Sequence, residues 1–262
     1  MTNTSVVIMG CGSIGSHLAM CLAKSKIKKF VLVDKEIISA TNVPRHLGDM
    51  IDASKGFSKV EVVKAKLLNK FPDIECGACQ EDILVYTDRA RDDINKADYV
   101  LVAIGQLAIE RRLSFLLRKG VLKIPLIFVW IEPYGVGGHV VFVHPEKGAC
   151  YSCCFDDNGE FLYSIAAPGQ QFFKKEAGCQ TSFLPYSAID MEMFVLMASR
   201  KIAEIFANNP LLTTAYTWVG DIKQFNKLGY KVSDKYLADI PFRFKHREMV
   251  PYRDCELCKN KS

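Results

Sequence analysis

A chain of 262 residues, 49% of them hydrophobic, is long enough to bury one large α/β core, with or without a small appendage. The net charge of +5 comes from scattered Lys and Arg that never alternate with aromatics in a stripe, which excludes a nucleic-acid surface, and the densest basic run, Lys24–Lys29, reads as a solvated helix end. The longest apolar run, Ile124–Ile131, is too short for a membrane span, and the first strand begins within five residues of Met1, so the expectation is a soluble, cytoplasmic protein without a signal peptide. In a reducing compartment its 10 cysteines would serve metal or catalysis rather than disulfides.

Val6–Met9 reads as a short buried strand, and Gly10-Cys11-Gly12-Ser13-Ile14-Gly15 follows it directly. His17–Lys24 has helical spacing, with Leu18, Cys21 and Leu22 on one face, and Phe30–Val33 is a second strand closed by Asp34. Strand, glycine turn, helix, strand and acid in this order make a nucleotide-binding βαβ unit. Gly10 permits the tight turn, Gly12 lets the backbone approach a phosphate, and Gly15 lets the helix pack on the strand. A phosphate would lie along Gly12, Ser13 and Ile14, where free N–H groups and the helix dipole favour anions. Asp34 is placed for ribose hydroxyls. The glycines alone do not say which nucleotide is bound.

Lys35–Asp52 is polar and irregular and contains Asn42-Val43-Pro44-Arg45-His46. Ser58–Phe71 has helical spacing, with Val60, Val63, Leu67 and Leu68 inward and Lys59, Lys64, Lys66 and Lys70 outward. Ile74–Cys79 reads as a strand, Asp82–Ala97 as a polar helix, Tyr99–Ile104 as a strand, Ala108–Lys119 as a helix and Pro125–Ile131 as a fifth strand. This alternation predicts a Rossmann-like, mostly parallel sheet with helices on both faces. Gly-rich Glu132–His139 leads into Val140–Val143, a hairpin or sheet extension. Asp156–Pro185 lacks periodicity, as a functional or mobile loop does. Ala188–Ala207 is a long amphipathic helix. Thr213–Val219, Tyr230–Val232 and Phe242–Phe244 then alternate like antiparallel strands.

Cys150-x-x-Cys153 and Cys255-x-x-Cys258 are two metal knuckles, and four thiolates from two such pairs suit structural Zn2+. The competing reading, a redox pair and a coincidence, lacks the helix start such a pair needs. A closed four-sulfur site would staple the tail to the sheet and leave no open position for chemistry. Cys154 is a spare. Cys179, in Gly178-Cys179-Gln180-Thr181-Ser182, has no partner at metal spacing. An exposed thiol shortly before a helix could be a nucleophile, while a small buried hydrophobe is the blander alternative.

Together these features resemble the ThiF/MoeB/ubiquitin-activating enzyme superfamily of adenylyltransferases. The likeness rests on Gly10–Gly15, Asp34, N-x-x-R at Asn42 and Arg45, Gly-x-x-Lys at Gly56–Lys59, and the paired cysteine motifs. Trp130–His139 and Gly178–Ser187 resemble the ubiquitin-activating-like enzymes of bacterial antiphage operons. The resemblance implies one adenylation domain over 1–262, with a nucleotide-binding half at 1–132. The remaining half, 133–262, would bind a ubiquitin-like protein and include a crossover loop at 156–185.

The implied cofactors are ATP and Mg2+ beside the structural zinc. Arg45 and Lys59 would act on the triphosphate and Asn42 would hydrogen-bond it. Cys179 would accept the acyl group as a thioester and pass it to a conjugating-enzyme-like protein. A homodimer is common in the superfamily. Two departures stand out: the usual Mg2+-binding Asp after the fourth strand is replaced by Ala103-Ile104-Gly105-Gln106, with Asp98 or Glu110 as possible recruits, and no N-terminal segment supplies an arginine. Arg111 and Arg112 read as surface charge. The alternatives are an adenylyltransferase for a sulfur-carrier protein, a non-catalytic scaffold for a ubiquitin-like or conjugating protein, and, disfavoured by N-x-x-R and the knuckles, an NAD-dependent oxidoreductase.

Overall fold

The structure, a computed structural model, describes residues 3–172, 174–175, 182–183, 185–251 and 255–258. Its centre is an eight-stranded sheet. In chain order the strands and helices begin β1 (Ser5–Met9), α1 (Ser13–Lys24), β2 (Lys29–Val33), α2 (Met50–Ser54), α3 (Lys59–Lys70), β3 (Glu75–Cys79), α4 (Ile83–Arg89), α5 (Arg91–Ile94), β4 (Tyr99–Val102), α6 (Leu107–Arg118) and β5 (Leu126–Ile131). They continue with β6 (Gly137–Val143), β7 (Lys174–Lys175), β8 (Ser182–Phe183), α7 (Ala188–Asn208), β9 (Thr214–Val219), α8 (Ile222–Lys227) and β10 (Phe244–Glu248). The sheet order is β10-β9-β6-β5-β4-β1-β2-β3; β1 to β5 pair in parallel, and β6, β9 and β10 extend the sheet antiparallel.

The central strands are apolar throughout because both faces are covered. Val6 and Ile8 of β1 face α1, α3 and α7, packing with Leu18, Leu22, Val63 and Phe194. Val7 and Met9 face the opposite side, with Val100, Leu113 and the segment carrying Cys150. Helix starts are fixed locally: the Ser58 hydroxyl accepts the Glu61 N–H, Asp82 accepts the Leu84 N–H, and the Ser187 hydroxyl accepts the Asp190 N–H. Two glycines of the first turn are required by contact. Gly10 has φ +92°, and a Cβ there would stand 2.6 Å from the Ala103 carbonyl oxygen; one on Gly15 would stand 1.8 Å from the Gly10 carbonyl oxygen.

The structure departs from the sequence reading in the polar helix and the tail. Asp82–Ala97 is two short helices, broken at Ala90. Tyr230–Val232 is not a strand. Val232 makes a single bridge to Ala166 and packs beside Phe225 and Tyr236 in a small third core. The last strand is Phe244–Glu248 rather than Phe242–Phe244, because Phe242 has φ +62° and turns the chain. The expected structureless stretch 156–185 is pinned early. The buried Glu132 carboxylate receives the Ile165 N–H (2.7 Å), the Ala166 N–H (2.8 Å) and the Ser164 hydroxyl (2.8 Å), and lies 2.6 Å from His139 Nε2.

Candidate functional site

Two cavities adjoin at the C-terminal ends of the parallel strands, where open α/β sheets bind ligands. The first, of about 170 Å³, is polar, with Asp34, Lys35, Glu36, Lys59 and Asp82 in its lining. The second, of about 310 Å³, is lined by Ser13, Glu110, Trp130, Tyr151, Phe155 and Tyr186 among others. Gly12, Ala103 and Ile104 belong to both, so they form a common partition at the start of α1.

That helix start is built to receive an anion. Gly12 is its N-cap, no side chain caps it, and no acidic residue lies in its first turn. A Cβ on Gly12 would meet nothing within 4 Å, so the space before the free N–H groups is open. Asp34 is buried and braces the turn: the Cys11 N–H donates to Oδ2 (2.7 Å) and the Glu36 N–H to Oδ1 (2.9 Å).

Lys59 does not point outward. It is 5% exposed and its ammonium pairs with Glu36 in the polar cavity. As the first residue of α3 its side chain leans toward the helix start, which faces the cavity, whereas Lys64 and Lys66 lie on later turns.

Asn42 precedes and Arg45 ends a 3-10 turn beside the site, and neither lines either cavity. Asn42 Oδ1 accepts the Ser39 N–H (3.3 Å). Arg45 lies with its guanidinium 5.0 Å from the centre of the Tyr186 ring, and the Tyr186 hydroxyl shares a 2.9 Å hydrogen bond with Ser13 Oγ. Arg45 is thus tied to the phosphate turn through an aromatic residue just before α7. Cys179 lies outside the described residues.

The two recruits for the missing aspartate separate cleanly. Asp98 sits at the opposite end of the sheet, accepting the Ser5 N–H (2.7 Å) and hydroxyl (2.9 Å). Glu110 lies in the second cavity, where Oε1 accepts the Gly105 N–H (3.1 Å) and Oε2 accepts the Tyr151 hydroxyl (2.9 Å). A carboxylate therefore stands at the exit of β4 although the strand end carries none. Burial pushes its pKa up, against the two donors. Arg111 is not simple surface charge, since its guanidinium lies over the Phe155 ring at 5.4 Å.

Residues that sequence reasoning missed complete the turn. His46 is buried; the Gly48 N–H donates to Nδ1 (2.8 Å), so Nε2 carries the proton and donates to the Cys11 carbonyl (2.8 Å). Burial holds its pKa below the usual histidine value. Nothing in the sequence marks a histidine as a turn brace. Tyr186 and Tyr151 lie inside segments singled out for other residues, Gly178–Ser187 and Cys150-x-x-Cys153.

Cys150, Cys153, Cys255 and Cys258 converge, all four sulfurs lying within 4.8 Å of one another. Neighbouring pairs stand 3.6, 3.7 and 3.8 Å apart. A tetrahedron of zinc–sulfur bonds of about 2.3 Å has edges of about 3.8 Å, so the residues present fit zinc. Burial also pushes Cys258 up to about 11, a cost to the thiolate that a divalent cation offsets. Cys154 stays outside the group, its thiol directed at the Cys150 carbonyl (3.9 Å).

The ThiF family model matches residues 1–212. The chain belongs to the ThiF family. The sulfur carrier protein ThiS adenylyltransferase of Escherichia coli is 27% identical over 165 residues, 61% of this chain and 61% of that protein. The ATP-dependent ubiquitin transferase-like protein Cap2 of Pseudomonas aeruginosa is 25% identical over 194 residues, 72% of this chain and 33% of that protein. Among solved structures, E. coli MccB with ATP superposes with a TM-score of 0.65 at 21% identity, covering 98% of this chain and 66% of that one, a likeness of fold. The chain spans less than two thirds of each of these three proteins. No helix among the described residues is long and apolar enough to cross a membrane.

Proposed function

We propose that this ThiF-family chain is an ATP-dependent adenylyltransferase that activates the C-terminal carboxylate of a ubiquitin-like protein. The observation that carries the reading is the shared partition: an uncapped helix start with a buried Lys59 and an Asp34 carboxylate on one side, and a second cavity opening onto the same N–H groups on the other. ATP in the polar cavity would set its ribose near Asp34 and its α-phosphate at Gly12–Ile14, with Lys59 facing the remaining negative charge and Arg45 and Asn42, which line neither cavity, reaching it from the neighbouring turn.

In the reaction a carboxylate oxygen of the partner attacks the α-phosphorus. The bond from that phosphorus to the bridging oxygen breaks, and pyrophosphate leaves with the electron pair. Fixed N–H groups and cations stabilise the charge that builds on the phosphoryl oxygens. Glu110 is the residue that would meet Mg2+ in the second cavity, where the metal would neutralise phosphate charge. The four cysteines would hold zinc as a structural ion.

The division into a nucleotide-binding half, 1–132, and a partner-binding half, 133–262, belongs to the same reading. So do a thioester on Cys179, formed when its thiolate displaces AMP from the acyl-adenylate, and transfer to a conjugating-enzyme-like protein. The likeness to Cap2, an ATP-dependent ubiquitin transferase-like protein, supports the transfer steps; a role in antiphage defence, a cytoplasmic location and a homodimer belong to the same reading. The likeness to ThiS adenylyltransferase supports the second reading, a sulfur-carrier protein as substrate and no thioester on Cys179.

ATP–pyrophosphate exchange with a candidate ubiquitin-like protein, in wild type and Cys179→Ala, tests the proposal. Exchange in both, with a thiol-reducible conjugate only in wild type, is the expected result. Exchange without any conjugate favours the sulfur-carrier reading. No exchange by a folded, zinc-loaded protein that binds ATP makes it a scaffold.

A further inference from the structure

The second cavity has walls that phosphoryl chemistry does not call for. Attack on an α-phosphate at the start of α1 needs only a carboxylate there, and a terminal glycine would leave most of a cavity of about 310 Å³ without contacts. Leu107, Val129, Trp130 and Phe155 line the remainder. These walls are held in place by other rings: Trp130 meets Phe161 edge-on (centroids 4.8 Å, 87°) and Tyr151 edge-on (6.1 Å, 84°), while Tyr151 stacks on Phe128 (3.8 Å, 16°).

Apart from the Glu110 carboxylate, which the proposed function assigns to Mg2+, the polar side chains of the wall already have partners. Tyr151 donates to Glu110, and Ser13 bonds Tyr186. What remains is a space polar at one end, at the free N–H groups of α1, and apolar and rigid at the other, the form of a site for one amphipathic residue.

We propose that this cavity selects a polypeptide whose C-terminal residue bears an apolar side chain of leucine to phenylalanine size, in place of a terminal glycine, with Trp130 and Phe155 as the specificity-determining residues. The proposal rests on the adenylation reading and names what that reading leaves open. The carboxylate lies at Gly12–Ile14 and the side chain enters between Trp130, Phe155 and Leu107. Burial of a whole side chain in such a pocket discriminates against glycine by about tenfold or more.

The test uses non-reacting acyl-adenylate mimics: 5′-O-sulfamoyladenosine and its N-acetylglycyl, N-acetylleucyl and N-acetylphenylalanyl derivatives, titrated calorimetrically against the full chain. The expected result is leucyl and phenylalanyl mimics at least tenfold tighter than the glycyl one. Trp130→Ala and Phe155→Ala should erase that gap while sulfamoyladenosine binds unchanged. Phe155 packs near the cysteines, so Leu107→Trp, at the start of α6 in the cavity lining, provides an independent variant that fills the space and inverts the preference toward glycine. A glycyl mimic as tight as the others, with sulfamoyladenosine bound normally, overturns the proposal and leaves adenylation standing. Failure of both sulfamoyladenosine and ATP to bind overturns the two together.

Discussion

The two cavities meet at Gly12, Ala103 and Ile104, yet they are built by different means. The polar one centres on a backbone turn, that between β1 and α1, braced by Asp34 and His46 through main-chain hydrogen bonds, with Lys59, Asp82 and the start of α6 closing it. The second is made of side chains drawn from α6, β5, the segment 151–155 and Tyr186. Tyr151 lies between two of the zinc-type cysteines and reaches Glu110, so the cysteine cluster supplies a wall of the second cavity and none of the first. Backbone sites tolerate change around them, whereas sites assembled from distant side chains depend on whatever holds those segments together.

The sharpest way to break this contrast is to remove the zinc that the four cysteines are proposed to hold. Cys150→Ser, or chelation, should abolish bound zinc and adenylation while leaving ATP affinity within about threefold, because no wall of the polar cavity rests on the knuckle; elemental analysis beside nucleotide titration reads both. Loss of ATP binding as well would show that the two regions are one unit. Lys59→Ala should act the other way, lowering the exchange rate by about 10²–10³ with the zinc content unchanged, the effect of deleting one charge-stabilising group.

Glu110→Ala should cost about 1–3 kcal/mol in denaturant unfolding, because it strands the Tyr151 hydroxyl and the Gly105 N–H. Glu110→Gln, which keeps one acceptor oxygen, should lose less. An alanine variant as stable as wild type would uncouple Tyr151 from the exit of β4.

The smallest effect is a pH limb. The folded pKa of His46 is lowered, chiefly by burial, so the unfolded chain takes up the proton first. Its contribution is present above about pH 6.5 and is lost as the pH falls below that value. Burial pushes the Glu132 carboxyl up, but His139 and the Ile165 and Ala166 N–H groups outweigh it and hold it below the usual range, so its contribution is lost only in stronger acid. His46→Gln should flatten the upper part of the limb in a melting-temperature series from pH 7.5 to 3 and leave the lower part.

The same contrast decides what could be read from the sequence. Gly10 to Asp34 was legible because spacing along the chain fixes backbone geometry, and the paired cysteines because metal ligation demands their spacing. Lys59 was misread as outward: a helical wheel knows the angle of a residue but not that the first turn faces a cavity. Glu110, Tyr151 and Tyr186 come together only through β4, β5 and α7, and no local signal ties residues 105, 110, 151 and 186. Phe242 looked like a strand residue, and only its positive φ ends that pattern.

The bracing of the first turn by Asp34 has a consequence for descent. Both its oxygens already hold the main chain, through the N–H groups of Cys11 and Glu36, whether or not a ribose is present. A lineage that abandoned catalysis would still need the acid and the glycines to keep its first turn folded. In chains built this way, survival of the nucleotide signature records the architecture, and under the proposed function it is Lys59, the exit of β4 and the second cavity that would record the activity.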